Sequence, residues 1–305
     1  MADTTFSPGT TITSEWLNDI NSYAYDTAIF ATRYGAVGDG VTDDSTALQD
    51  IINTFPGRVI DGLGQTYKCD SVLTGLASGT TLQNMVLDFS GITTDHGIYI
   101  RATGTKGTGH ALTANLAADA VTVSMASTTG FAAEGWVWLE STAIWSTEDN
   151  TPYGQFVKVK QINNGTTLTL YAGPVVPFNT ADGAMISPVT PVRAVRLVNV
   201  KVLGAGANIQ TALRIEYGLD CIVETNCTFE DCDYFSVAMY RCVNCHASPS
   251  TLRARAPDLS YGIGFLGGCY GCAAGGGYGE DLRHYVAVGD NDGINVNCRA
   301  TNNIV

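Results

Sequence analysis

The chain has 305 residues with 16 Lys+Arg against 29 Asp+Glu, a formal net charge of −13. Charged residues make up only 15% and apolar residues 45%, too apolar for a disordered chain and long enough for one large core. The acidic balance argues against non-specific binding to nucleic acid, which needs clustered Lys and Arg, and against docking on an anionic membrane. Thirty-four glycines point to many tight turns and an all-β chain.

Residues 1–30 read as an attachment arm. Thr13 or Ser14 caps a short helix, and Trp16, Ile20, Tyr23 and Thr27 share one helical stripe. So short a helix is unstable alone, so the stripe packs on the chain's own body or on two symmetry copies. No basic n-region or apolar h-region opens the chain. The expectation is synthesis in a cytoplasm without a signal peptide and no insertion into a membrane, since no run approaches the ~18 apolar residues of a span.

Residues 31–106 begin with Tyr34-Gly35-Ala36-Val37-Gly38-Asp39-Gly40-Val41-Thr42-Asp43-Asp44. A helix should follow, capped by Asp43 or Asp44, with Ala47, Leu48, Ile51, Ile52 and Phe55 on its apolar face and Pro56-Gly57 as its stop. Short strands are expected at 58–61, 66–69, 81–89 and 97–101. Residues 107–190 read as an antiparallel β insertion, with strands at 121–125, 135–140, 156–162 and 167–171 and a turn at Asn163-Asn164-Gly165.

Residues 191–305 carry an internal repeat. Val200, Cys227, Cys245, Cys272 and Cys298 each follow an Asn or Gly and align as one inward column beside a bend. A second column, Leu213, Val237, Ile263 and Val286, steps by 24, 26 and 23 residues. A period near 25 with short strands marks a β-solenoid. Asn suits the bend because it tolerates left-handed backbone, and Cys or Val fills the inward position beside it.

Several groups are candidates for chemistry. Glu280, Asp281 and His284 end a Gly-rich excursion, and carboxylates beside an imidazole suit acid–base work on a glycosidic bond. The plain alternative is a solvated turn. Asp231 and Asp233 follow an earlier ladder strand and are expected to face the same groove. Arg253 and Arg255 suit bidentate binding of sugar carboxylates, or simply solubilise a loop. Trp136 and Trp138 lie two apart on one strand face, either as a core pair or, with Trp145, as a sugar-stacking platform. Cys242-x-x-Cys245 and Cys269-x-x-Cys272 match a four-thiolate zinc site on paper. A column shared with Val points instead to stacked core thiols, and late oxidation to disulfides stays open. No metal and no cofactor is expected.

Tyr34–Gly40 with Thr42–Ala47 resembles the opening of the pectate-lyase-like superfamily of right-handed parallel β-helices. The segment Pro8-Gly9-Thr10 through Asn21 is similar to the N-terminal segment of bacteriophage tailspikes and tail fibres. The resemblance implies an all-β, right-handed parallel β-helix with a short N-terminal helical arm and an inserted antiparallel β domain. It implies a homotrimer in the virion, joined to other tail or baseplate proteins through residues 1–30 and facing a host-surface glycan. It leaves open whether the chain cuts that polysaccharide, only binds it, or is a non-catalytic structural component. A free-standing lyase or hydrolase is a further alternative. Because Val305 follows the last ladder position closely, the solenoid end is expected to be covered by a partner or to continue in a longer product.

Overall fold

A computed structural model describes residues 28–92, 97–146, 151–205, 210–254, 259–289 and 293–301. The expected helical stripe at 16–27 lies outside these residues. Ala28–Phe30, inside the expected arm, already pair in parallel with Val59–Asp61 as part of the first coil.

The Gly38-Asp39-Gly40 opening is held by carboxylates. Asp39 accepts from the Val41 and Thr42 amides at 2.8 and 2.7 Å and from the Thr42 hydroxyl at 2.9 Å. Gly38 and Gly40 take positive φ of 71° and 73°, which glycine adopts without a Cβ penalty. Asp44 is the residue before the helix α1 (Ser45–Thr54), yet its carboxylate does not cap it. It turns back and accepts from the Val37 and Gly38 amides at 2.6 and 3.0 Å while 1% exposed. Asp43 takes over the capping, receiving the Ser45 and Asp70 amides at 3.0 and 3.1 Å. The Ser45 hydroxyl, the Asp70 amide and the Ser45 amide hold its carboxyl below the usual carboxylate range. Leu48, Ile51, Ile52 and Phe55 then bury against the first coil, as the apolar spacing requires.

Beyond the helix, coils stack in parallel. One sheet joins Ile98–Thr103, Thr211–Glu216, Phe235–Tyr240, Tyr261–Leu266 and His284–Gly289. Its register places Ile100, Leu213, Val237, Ile263 and Val286 in one column, the repeat expected from the sequence. The other large sheet starts with Val59–Lys68, Thr81–Asp88 and Arg196–Leu203, which bend partway. In later coils each of these becomes two short strands, such as Ile222–Val223 and Thr228–Glu230.

The cysteine column needs correction. Lys201 pairs with Thr228, which puts Val200 beside Cys227. Ile222 pairs with His246, His246 with Ala273 and Ala273 with Arg299, so Cys221, Cys245, Cys272 and Cys298 form a separate column. The 18-residue step from Cys227 to Cys245 spans two different corners of the coil. In the aligned residues both corners follow an Asn or Gly with Val or Cys, so local sequence makes them look alike. Left-handed residues mark the second corner, at Ala194, Asp220, Asn244, Gly271 and Asn297. At the first corner the Asn199 side-chain amide donates to Asn84 Oδ1 at 3.0 Å and its backbone amide donates to Asn226 Oδ1 at 2.8 Å.

Eight cysteines are buried and Cys298 is half-buried. Their thiols donate to carbonyls of the coil before: Cys242 to Ile215 at 3.2 Å, Cys269 to Met239 at 3.1 Å and Cys227 to Leu197 at 3.3 Å. Burial pushes the Cys227 thiol up to about 11. These are packing thiols with backbone partners.

Between 105 and 190 the chain leaves the solenoid and forms seven antiparallel strands around a core of Val123, Met125, Leu139, Val159, Leu168, Phe178 and Ile186. Asn164 closes the turn before Thr167 by accepting from the Thr166 and Thr167 amides at 2.8 and 3.0 Å. The insertion packs back on the coils through Trp138, Phe156, Tyr217, Leu219 and Val243. Trp138 is therefore a core residue, 1% exposed, and offers no face to a sugar.

Two outcomes test this account. Asp44→Ala removes the acceptor of two amides, one of them buried, and should cost about 1–3 kcal/mol, read as a lowered midpoint of thermal unfolding. EDTA should leave that midpoint unchanged, and the eight buried thiols should react with Ellman's reagent only after denaturation. A large EDTA effect would restore the zinc reading.

Candidate functional site

Side chains alternate across a strand, so the column of Leu213, Val237, Ile263 and Val286 that faces the core fixes another that faces out. That outward column runs Arg101, Arg214, Ala238, Gly264, Ala287. Its last three members are small and leave a groove of about 720 Å³ along the outside of the sheet.

One wall of the groove is aromatic. Phe235 and Tyr261 sit in register and stack, ring centroids 5.0 Å apart at 19°. Tyr234 meets Phe235 and Tyr261 edge-on at 4.6 and 6.0 Å, and His284 meets Tyr261 at 5.7 Å. The floor must be small for this to form: a Cβ on Gly264 would lie 2.6 Å from Phe235 Cε1. The opposite wall is Tyr240 and Leu266. The Arg214 guanidinium lies 4.5 Å from the Tyr240 ring centroid, a cation–π contact. Arg214 pairs with Glu216 at 3.3 Å, and Arg241 reaches the same carboxylate at 3.9 Å. Among the described residues no carboxylate lines the groove.

The structure divides the residues singled out in the sequence. His284 lines this groove. Glu280 and Asp281 lie across a corner from it, and among the described residues no hydrogen bond or ion pair joins either to His284. Glu280 is exposed and in register with Arg253, which donates to Glu230 at 3.3 Å. Lys201 lies 2.9 Å from the same Glu230 oxygen. Asp231 and Asp281 hold equivalent corner positions, at φ 56° and 55°. Glu280, Asp281, Asp231 and Arg253 thus share a charged edge separate from the groove.

Asp233 is 4% exposed, so burial withholds it from a ligand in this fold. Arg255 lies outside the described residues, as do the side-chain surroundings of Trp145. Trp136 is half-buried where the insertion meets the coils, 5.8 Å from Tyr270 and 6.3 Å from Phe156. It edges a second hollow of about 250 Å³.

Sequence reasoning missed Arg214, Tyr234, Phe235, Tyr240 and Tyr261. The signal was present: Phe235, Tyr261 and His284 step by 26 and 23 residues, the steps of the inward column beside them. Alternation alone would set residues two before Val237, Ile263 and Val286 on the core face, so the repeat marks this column and only the structure turns it to the groove.

A family model for the N-terminal extension of bacteriophage endosialidase matches residues 36–74, which take in the Gly38-Asp39-Gly40 opening, helix α1 and the whole of the strand Val59–Lys68. Comparison with curated sequences gave no match. Among solved structures the chain resembles the gp54 tailspike of Acinetobacter baumannii bacteriophage AP22, solved in complex with A. baumannii capsular saccharide, with a TM-score of 0.75 and 18% identity over 95% of this chain and 47% of that one. It also resembles the tailspike gp49 of Pseudomonas phage LKA1, with a TM-score of 0.71 and 17% identity over 88% of this chain and 51% of that one. A third is the tailspike gp61 of Pseudomonas phage phi297, with a TM-score of 0.69 and 18% identity over 92% and 51%. The chain spans about half the length of each.

Gly264→Leu should fill the groove floor and push Phe235 off Tyr261, with the fold kept because the side chain points outward. Circular dichroism should be unchanged, while any saccharide affinity should fall at least tenfold. In fold, the chain is a parallel β-helix of the kind built by bacteriophage tailspikes.

Proposed function

We propose that this chain is part of a bacteriophage tailspike that recognises a host-surface polysaccharide in the groove between Phe235–Tyr261 and Tyr240. The observation that carries the reading is the in-register aromatic wall above a floor of Ala238, Gly264 and Ala287. Sugar rings present apolar C–H faces that pack on aromatic rings, and a floor of small residues lets a linear chain lie along the coils. The tailspike fold and the capsular saccharide bound to the AP22 protein support the same reading. In this proposal the protein is a virion component, a homotrimer attached to the tail through residues 1–30.

Binding is favoured over cleavage in this groove. Breaking a glycosidic bond calls on two carboxyl groups flanking it, and the described lining offers His284 without either. Glu280 and Asp281, on the charged edge, are the residues to test for a separate depolymerase activity.

Tyr261→Ala should lower affinity for capsular polysaccharide of the host about tenfold or more, the equivalent of about 1.4 kcal/mol, read by calorimetry. Affinity unchanged by this substitution overturns the groove. In the same preparation, release of reducing ends should be absent. Release that disappears in Glu280→Gln/Asp281→Asn would move the protein to the enzymes. Light scattering should give about three times 32.2 kDa.

A further inference from the structure

We propose that the polysaccharide taken by this groove is acidic, with carboxylate groups carried along the chain; the inference rests on the glycan-binding reading above. The whole molecule carries 13 more acidic than basic groups, yet the groove reverses that sign. Arg101 and Arg214 are adjacent in the outward column that becomes its floor. Like charges set directly opposite on neighbouring strands destabilise a sheet, so this pair carries a cost. Glu216 offsets part of it, at 3.3 Å from Arg214, while Arg101 is exposed and makes no ion pair among the described residues. The Nε of Arg214 is buried and has no hydrogen-bond partner among the described residues.

The far end repeats the pattern. Arg283 donates to the Tyr261 hydroxyl at 3.2 Å and has no carboxylate partner among the described residues. His284, the next residue, lines the groove, which Arg283 flanks through its bond to Tyr261. The titratable groups of the groove are therefore two flanking guanidiniums, a third half-neutralised by Glu216, one imidazole and the tyrosine hydroxyls. The first column member and Arg283 are separated by the length of the floor, several coils at ~4.8 Å each. That spacing suits a polymer with repeated carboxylates better than one anion.

The net negative charge of the chain does not cancel this attraction. At physiological ionic strength the screening length is about 8 Å, so distant carboxylates are screened while a guanidinium in contact with a sugar carboxylate is not. Arginine also presents a fork matched to that group.

The test uses the full chain against a panel of acidic capsular oligosaccharides, uronic and ulosonic, each beside its carboxyl-reduced neutral form. The expected result is binding of acidic members at least tenfold tighter than their reduced forms. That preference should fall severalfold in Arg101→Gln, an exposed site where folding is not at stake, and in Arg214→Gln, and it should weaken in about 0.5 M NaCl. Equal binding of reduced and acidic forms, with loss in Tyr261→Ala, overturns the acidic preference and keeps the groove. Binding that ignores Tyr261→Ala, or no binding by any member, overturns the groove itself. If Arg214→Gln and Tyr261→Ala instead reduce the native mass to that of a single chain while binding persists, the face is a contact between subunits and the proposal fails.

Discussion

The structure depends on the parallel register between successive coils. Each coil satisfies its backbone amides on its neighbours at ~4.8 Å, and the buried column fixes the register, since a one-residue slip would turn it to solvent. Once Leu213, Val237 and Ile263 are drawn into the core, the fate of their neighbours is settled. Ala238 and Gly264 must face out together, and Phe235 must lie against Tyr261. The groove is thus a consequence of core packing repeated three times, with the outward residues free to vary in chemistry and not in position.

The same constraint governs how more than eighty residues can be inserted without disturbing the stack. The chain departs at Gly104 and returns through Thr190 and Val192, whose backbones crowd the glycine: a Cβ there would meet Tyr217 O at 2.6 Å and Thr190 O at 2.7 Å. The Gly104 amide donates to Glu216 O at 2.8 Å, so the exit point still belongs to the ladder. The insertion is then fastened by Trp138. Its indole fits only because two coils have glycine at the contact, since a Cβ on Gly268 or Gly293 would lie 2.5 or 2.8 Å from Cη2. The Ile294 amide donates to Gly154 O at 2.7 Å across the same junction. A tryptophan that periodicity left undecided between core and platform is settled by what lies on the other side of the strand, which no local pattern contains.

What could be read from the residues follows the range of the interaction. The solenoid, the column through Leu213 and the helix face of Leu48, Ile51 and Ile52 were legible, because each rests on periodic burial. Asp44 was legible as a helix-start residue and not as an acceptor for Val37 and Gly38, because the reverse turn of its carboxylate depends on the loop before it. The two cysteine corners were merged because in sequence both present an Asn or Gly followed by Val or Cys, and only the register separates them. For the site, the residues that attract attention by chemistry, Glu280 and Asp281, fall on a corner edge. The residues that build the groove are ordinary tyrosines and a phenylalanine whose only distinction is phase within the coil.

That distinction bears on how such a surface acquires specificity. A β-helix holds its outward columns at fixed spacing, so a ligand with its own repeat can be matched rung by rung without ordering a loop, and little conformational entropy is lost on binding. Aromatic faces supply contact area that tolerates many sugars. The selective element must then be polar and placed at the margin of the apolar wall, where it is held but still hydrated. Arg214 meets both conditions, with its ring-stacked guanidinium fixed over Tyr240 and shared with Glu216. A salt bridge with both partners a fifth to a third exposed contributes at most about 1 kcal/mol to stability, so this pair does little for the fold. Its effect is to orient a cation along the groove, so that on the proposed reading the choice of polysaccharide would rest with a few side chains that the core does not constrain.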